Sequence, residues 1–309
     1  MLECRLLWLP VRRMCFCTEF LLNMPIDNAR TKSLFRKLER LAGKLVRDPQ
    51  PDDVHQFRRS SRRIEAVLHE LVAEPGRSER KLLKQLARSR KRAGQIRDLD
   101  VQATALRSVK LDRDSERKRQ LLNALTTERQ QCEKKLSDLL DDRAVRGLRK
   151  RLRRAAELPE LQNRKFDPVS RALRMFVRFA HSEGPLSEAT LHPYRLHCKR
   201  VRYIAEMAGK QPEAKPVVDL LKAIQDAIGE WHDWDVLTSR AQKLFADTPN
   251  PPLLTALHAI ARTRMNDAIR IAGDATSTLL QIGTAVGRRK PARAVEQRDR
   301  DLASAAATA

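Results

Sequence analysis

VHQFRRSSRRIEAVL, residues 54–68, places His55, Arg58, Arg59, Arg62 and Arg63 within nine residues of a segment whose apolar residues fall at helical spacing. Wound at about 100° per residue, it gathers Phe57, Ile64, Val67, Leu68 and Leu71 on one side. His55, Arg58, Arg59 and Arg62 gather on the other, with Arg63 at its edge. The apolar stripe is the core face of an amphipathic helix. The basic face needs a further cause. Solvated helix faces mix signs, because like charges four residues apart cost a few tenths of a kcal/mol, and Glu65 is the only acid in the stretch.

The arrangement recurs. LHPYRLHCKRVRYIA (191–205) aligns on it without gaps at an offset of 137, and GQIRDLDV (94–101) aligns on GEWHDWDV (229–236) at an offset of 135. Two motifs in the same order at nearly the same spacing imply two related helical halves, joined near residues 157–166. In the second copy Tyr194, Val201, Ile204, Ala205 and Ala208 form the apolar stripe. His192, Arg195 and Lys199 face away from it, flanked by Arg200 and Arg202. Leu196 and His197 replace Arg59 and Ser60, so this basic face is thinner. A third face carries Arg80, Lys84, Arg88 and Lys91 opposite Leu82, Leu86 and Ala93; its counterpart holds only Lys222 and Gln225. The run 143–154, RAVRGLRKRLRR, has seven basic residues and no acid. One-sided positive charge on a repeated template is best compensated by a bound anion, and about three helical turns of it suit an extended one.

Helical periodicity continues along nearly the whole chain, with few glycines and 4% aromatics, and no alternating strand pattern stands out. Pro, Gly, Ser and Asp clusters predict breaks at 47–53, 73–78, 97–100, 110–115, 157–168, 182–187, 209–216 and 247–252. About ten helices follow. The expected fold is all-α: two pseudo-symmetric antiparallel bundles of about four helices each, around a basic central cavity. Residues 1–23 read as an N-terminal extension, with Met24 an alternative start; 24–158 and 165–285 are the halves, and 286–309 a disordered tail. The net charge of +23 attracts polyanions or anionic membranes. No stretch reaches about 18 uninterrupted apolar residues, so no membrane association is expected. Five cysteines make no disulfide framework, which fits a reducing cytoplasm.

The quoted motifs, with LKAIQDAIGEWHDWDVL (221–237), resemble those of the CHAD family, the conserved-histidine α-helical domain, over roughly residues 27–285. The resemblance implies paired four-helix bundles around a basic cavity that binds inorganic polyphosphate, without a cofactor. It assigns the anion site to His55, Arg58, Arg62, His192, Arg195, Lys199 and Arg202. Helical-face position adds Arg59, Arg63, Arg88, Lys91, Arg200 and Lys222. Many relatives are joined to a triphosphatase domain with an acidic tunnel, which is not found in these residues. The expectation is a non-catalytic polyphosphate binder, cytoplasmic and associated with polyphosphate granules.

Two other readings compete. A metal-dependent phosphohydrolase could use His192 or His197 with His232 and Asp233, since such chemistry needs imidazoles and carboxylates converging on a metal. Arg97 occupies the position of His232 in the first copy and cannot ligate metal, which argues against it. Asp98, Asp100, Asp233 and Asp235 read instead as helix-end caps or arginine partners, and Trp231 and Trp234 as core anchors. A pI near 10.6 invites nucleic-acid binding, as weak non-specific contact with the same arginines. The few aromatics lie mostly on apolar stripes, however, and no helix-turn-helix, zinc-finger or P-loop pattern is present.

Overall fold

Proline and acidic caps set most helix starts. Pro51 opens a helix at its first position, and Asp167 caps the one that begins at Pro168 by accepting from the Ser170 backbone N–H at 2.9 Å. The protein, as a computed structural model, is described over residues 26–47, 50–110, 114–162, 166–247 and 251–306. The described residues form helices α1 (Asn28–Arg47), α2 (Pro51–Leu71), α3 (Arg77–Ser108), α4 (Ser115–Leu139) and α5 (Asp142–Ala156). After the joining segment come α6 (Pro168–Ser182), α7 (Glu188–Ala205), α8 (Lys215–Leu244) and α9 (Pro252–Ala306). Short 3-10 turns lie at Pro159–Gln162, Glu206–Ala208 and Pro212–Ala214, and there is no strand among the described residues.

Two boundaries differ from expectation. Residues 97–100 do not break the chain: α3 runs straight through them, because Asp98 and Asp100 are satisfied sideways by Arg58 and Arg129 and cap no helix end. Conversely, α4 and α5 separate at residues 140–141, where Asp141 accepts from the Ala144 backbone N–H at 2.6 Å.

The fold is all-α, in two related halves. α1–α4 correspond to α6–α9, and within each of these sets of four, consecutive helices pack on one another. In the second half α6 closes against α9, whereas in the first α1 packs on α5, which also packs on α3. The first half therefore has five helices. The halves meet where α2 packs on α7 and α3 on α8. Below that seam the apolar stripes are buried: Phe57, Ile64 and Leu68 from α2, Val201 and Ile204 from α7, and Trp231 and Trp234 from α8. Each large side chain so buried contributes about 1.5–3 kcal/mol, so the basic faces are held rigidly on the other side of the same helices.

α9 runs as helix to Ala306, through the stretch expected to be a disordered tail; that segment lacks an apolar face but is rich in alanine and arginine, which favour helix. The expected extension 1–23 lies outside the described residues. Among those described, no helix is long and apolar enough to cross a membrane.

Candidate anion-binding site

The basic faces of α2 and α7 converge on a cavity of about 290 Å³. His55, Arg58, Arg59 and Arg62 enter from α2; Arg195, Lys199, Arg202 and Tyr203 enter from α7. α3 adds Arg97 and Asp98, and α8 adds Lys222, Gln225, Asp226 and Asp233. Arg62, Lys199 and Tyr203 also line a second opening of about 370 Å³, with Arg90, His69 and Arg200. Arg62 and Lys199 thus stand in the wall shared by two mouths, the second of which also holds Glu65.

Two arginines at matched positions are held in matched ways. Arg58 lies over Gly94 of α3 and pairs with Asp98 at 3.2 Å. Arg195 lies over Gly229 of α8, and its Nε donates to the Gln225 carbonyl oxygen at 3.2 Å. A Cβ at 229 would stand 2.8 Å from Arg195 Nη2, and one at 94 would stand 3.4 Å from Arg58 Nε. The glycine that opens each repeat motif leaves bare helix for a guanidinium to rest on. Gln225 also accepts from Arg202 Nε at 3.0 Å and donates to the Cys198 and Leu221 carbonyls, fixing α7 on α8.

Burial and crowding strain the electrostatics. Burial, followed by the fields of Arg62, Arg195, Arg58 and Arg202, pushes the Lys199 ammonium down to about 5. The Arg62 guanidinium falls to about 10, mainly through burial and then Arg58. Burial, then Arg97, Arg58 and Arg59, lowers the His55 imidazole; burial raises the Asp233 carboxyl to about 6, opposed by Arg195. Among the described residues no carboxylate pairs with Arg62 or Lys199. Arg58 Nε, Arg62 Nε and His55 Nδ1 are buried without a hydrogen-bond partner, an arrangement costing about 1–3 kcal/mol per group. Donors and positive charge focused on one cavity make it a receptor for an anion.

Of the residues singled out in the sequence, eight line the cavity: His55, Arg58, Arg59, Arg62, Arg195, Lys199, Arg202 and Lys222. Lys222 is partly neutralised by Asp226 at 2.5 Å. Arg200 lies at the second mouth. Four stand elsewhere. Arg63 donates to Glu206 at 2.6 Å and lines a separate 170 Å³ pocket against α1. Arg88 lies in a furrow between α3 and α5, Lys91 is exposed outside the cavity wall, and His192 packs against His232 at 4.6 Å without lining the cavity. Tyr203, Arg97, Gln225 and the two glycines joined the site without being expected in it. The glycine at the head of both repeat motifs was the signal that could have found the last two. His197 stacks on Phe179 at 3.7 Å, and among the described residues no three His, Cys, Asp or Glu side chains cluster as metal ligands.

The structure is similar to the crystal structure of the CHAD domain from the plant Ricinus communis, with a TM-score of 0.60 and 18% identity over 81% of this chain and 90% of that one. It is also similar to PptA from Streptomyces chartreusis, with a TM-score of 0.53 and 17% identity over 83% of this chain and 99% of that one. Comparison with curated protein sequences gives no match. The CHAD domain family model matches residues 29–242, which takes in both copies of the basic helix and both glycine-led motifs, and the chain belongs to the CHAD domain family.

Proposed function

We propose that this protein binds inorganic polyphosphate in the α2–α7 cavity without hydrolysing it, and that this binding associates it with polyphosphate granules in the cytoplasm. The observation that carries the reading is the convergence of Arg58, Arg62, Arg195 and Lys199 on one cavity, with Arg62 and Lys199 unpaired with any described carboxylate. A single phosphate would engage only part of this group. A chain of phosphates running from one mouth to the other meets them in turn. Family membership and the likeness to a CHAD domain structure support the same ligand class.

Nucleic acid fits less well. Tyr203 is the one aromatic in the wall, and Arg202 already covers its ring at 5.0 Å, so no stacking platform faces the cavity. Competition of long polyphosphate against DNA and RNA at fixed salt tests the choice, and polyphosphate should win by at least tenfold. Equal competition by either nucleic acid would sink the reading. Orthophosphate release with added divalent metal, lost on changing His232 or Asp233, would overturn its non-catalytic part.

A further inference from the structure

α5 has no counterpart in the second half, and it creates a second basic surface. Its residues run antiparallel to the first half of α3: Arg88 and Arg143 share one end of a furrow, Arg77 and Arg154 the other. Lys81, Gly147 and Arg151 line both parts, of about 620 and 520 Å³, so the furrow is continuous. From Arg77 to Arg88 and from Arg143 to Arg154 it extends about 17 Å along each helix at 1.5 Å per residue.

The charges here are less compensated than in the cavity. α3 presents Arg77, Lys81, Lys84 and Arg88, and α5 presents Arg143, Lys150, Arg151 and Arg154. None forms an ion pair with a described carboxylate, although exposed cations elsewhere do, as in Arg119–Glu116 and Lys215–Asp219. Asp141 is the one acid in the wall, and its side chain is engaged by the Ala144 N–H. Arg151 is held in place by Gln85 at 2.8 Å, which also donates to the Ala144 carbonyl at 3.0 Å. That bridge joins α3 to α5 and fixes the furrow's width.

We propose that this furrow is a second, independent binding surface for a linear polyphosphate chain, so that one molecule holds two chains and cross-links them. The inference rests on the polyphosphate reading of the cavity. The furrow between two packed helices, whose axes lie about 8–10 Å apart, admits a single file of phosphates. A duplex is wider and would touch only its rims, and no aromatic lines the furrow to stack a single strand. Two sites on separate faces make the full protein bivalent, and long chains are then bridged into networks.

The test is calorimetric titration with a short linear polyphosphate that cannot span both sites, followed by light scattering with a long one. Wild type should take up two short chains and turn turbid with long ones. The K81Q/K84Q and R143Q/K150Q/R154Q variants, each checked for unchanged helicity by circular dichroism, should take up one and stay clear. The cavity variant R62Q/K199Q should also take up one. A wild type that binds one chain, lost only in the cavity variant, overturns the furrow and leaves the cavity reading standing. One chain lost only in the furrow variants overturns the cavity reading instead. Two short chains still bound by the furrow variants, with loss of duplex DNA binding, would assign the furrow to nucleic acid and overturn the proposal.

Discussion

The two halves set different side chains on one template. Arg62 and Lys199 occupy matched positions, are similarly hidden, and face the same cavity. Yet Arg62, at about 10, keeps its charge at neutral pH, while Lys199, at about 5, loses it. The delocalised guanidinium is more weakly hydrated and resists deprotonation; the compact ammonium gives up its proton when desolvated among arginines. A second exchange lies one turn on. Arg90 of α3 donates to Glu65 of α2 at 2.8 Å, whereas at the matched positions Arg202 of α7 donates to Gln225 of α8. The repeat preserves the contact and reverses which helix carries the charge. A third exchange seals one flank: Arg63 pairs with Glu206, while its counterpart Arg200 and the matched His69 line the second mouth. Duplication therefore supplied the geometry, and divergence decided which cations are permanent.

Removing the shared template should have the largest effect. Changing Arg58, Arg62, Arg195 and Lys199 together to Ala should weaken polyphosphate binding at the cavity by about 4 kcal/mol or more, on the order of a thousandfold, with helicity and the chain held by the furrow unchanged. The wild-type affinity should also fall steeply with salt as condensed counterions are released. Normal binding by the quadruple variant would mean that the cavity is not the principal site.

Next comes the lysine itself. Its folded-state pKa is depressed from the ordinary 10.5, so between about pH 5 and that value the unfolded chain holds a proton that the folded one lacks. The group destabilises the free protein in that window, and stability should rise with pH across it. Lys199→Met should stabilise the unliganded protein by about 1–3 kcal/mol, read as a higher melting temperature, and weaken polyphosphate binding about tenfold.

The same asymmetry predicts proton uptake. A bound anion favours the ammonium of Lys199, the imidazolium of His55 and the neutral acid of Asp233, so all three pKa values rise in the complex and binding tightens as pH falls from about 8 to 5. Calorimetry at pH 7 in buffers of different ionisation enthalpy should show close to one proton taken up. Lys199→Arg should remove most of that uptake, while His55→Gln/His192→Gln should trim only the part below about pH 6.5, through His55. Long chains keep protonation of the polymer's ends, which works in the opposite sense, to a minor contribution. Unchanged uptake in Lys199→Arg would show that the lysine does not contact the anion.

The smallest effect separates the glycines. Gly229→Ala should strengthen α8 by about 0.5–1 kcal/mol yet weaken binding about threefold, because its methyl group displaces the Arg195 guanidinium. Gly94→Ala, with a looser approach to Arg58, should cost less binding for a similar gain in stability. Equal losses at the two sites would mean that the guanidinium seats are not what the glycines provide.

Much of this was legible in the chain because it is local. Apolar periodicity fixed the core faces of α2 and α7, and one-sided charge pointed Arg58, Arg62, Arg195 and Lys199 toward a common ligand. What stayed hidden depends on distant partners. Nothing near Arg63 announces Glu206, 143 residues away, which turns that arginine from ligand holder to strut. His192 and His55 match in sequence, but His232 stands against one and Arg97 near the other. The acids at 97–100 looked like a helix end because only the fold supplies Arg58 and Arg129 to neutralise them. α5 had no repeat partner to mark it as the closing wall of its half.

The relation between the halves also bears on what the site can ignore. A linear chain of identical phosphates reads the same from either end, whereas a nucleic-acid strand has a direction. Two matched helices, each offering an arginine on a glycine and a second basic side chain a turn further on, would meet such a chain equally well whichever end arrives first. On the polyphosphate reading no orientational search is needed at capture, and a chain is free to slide in either sense without losing register with its contacts.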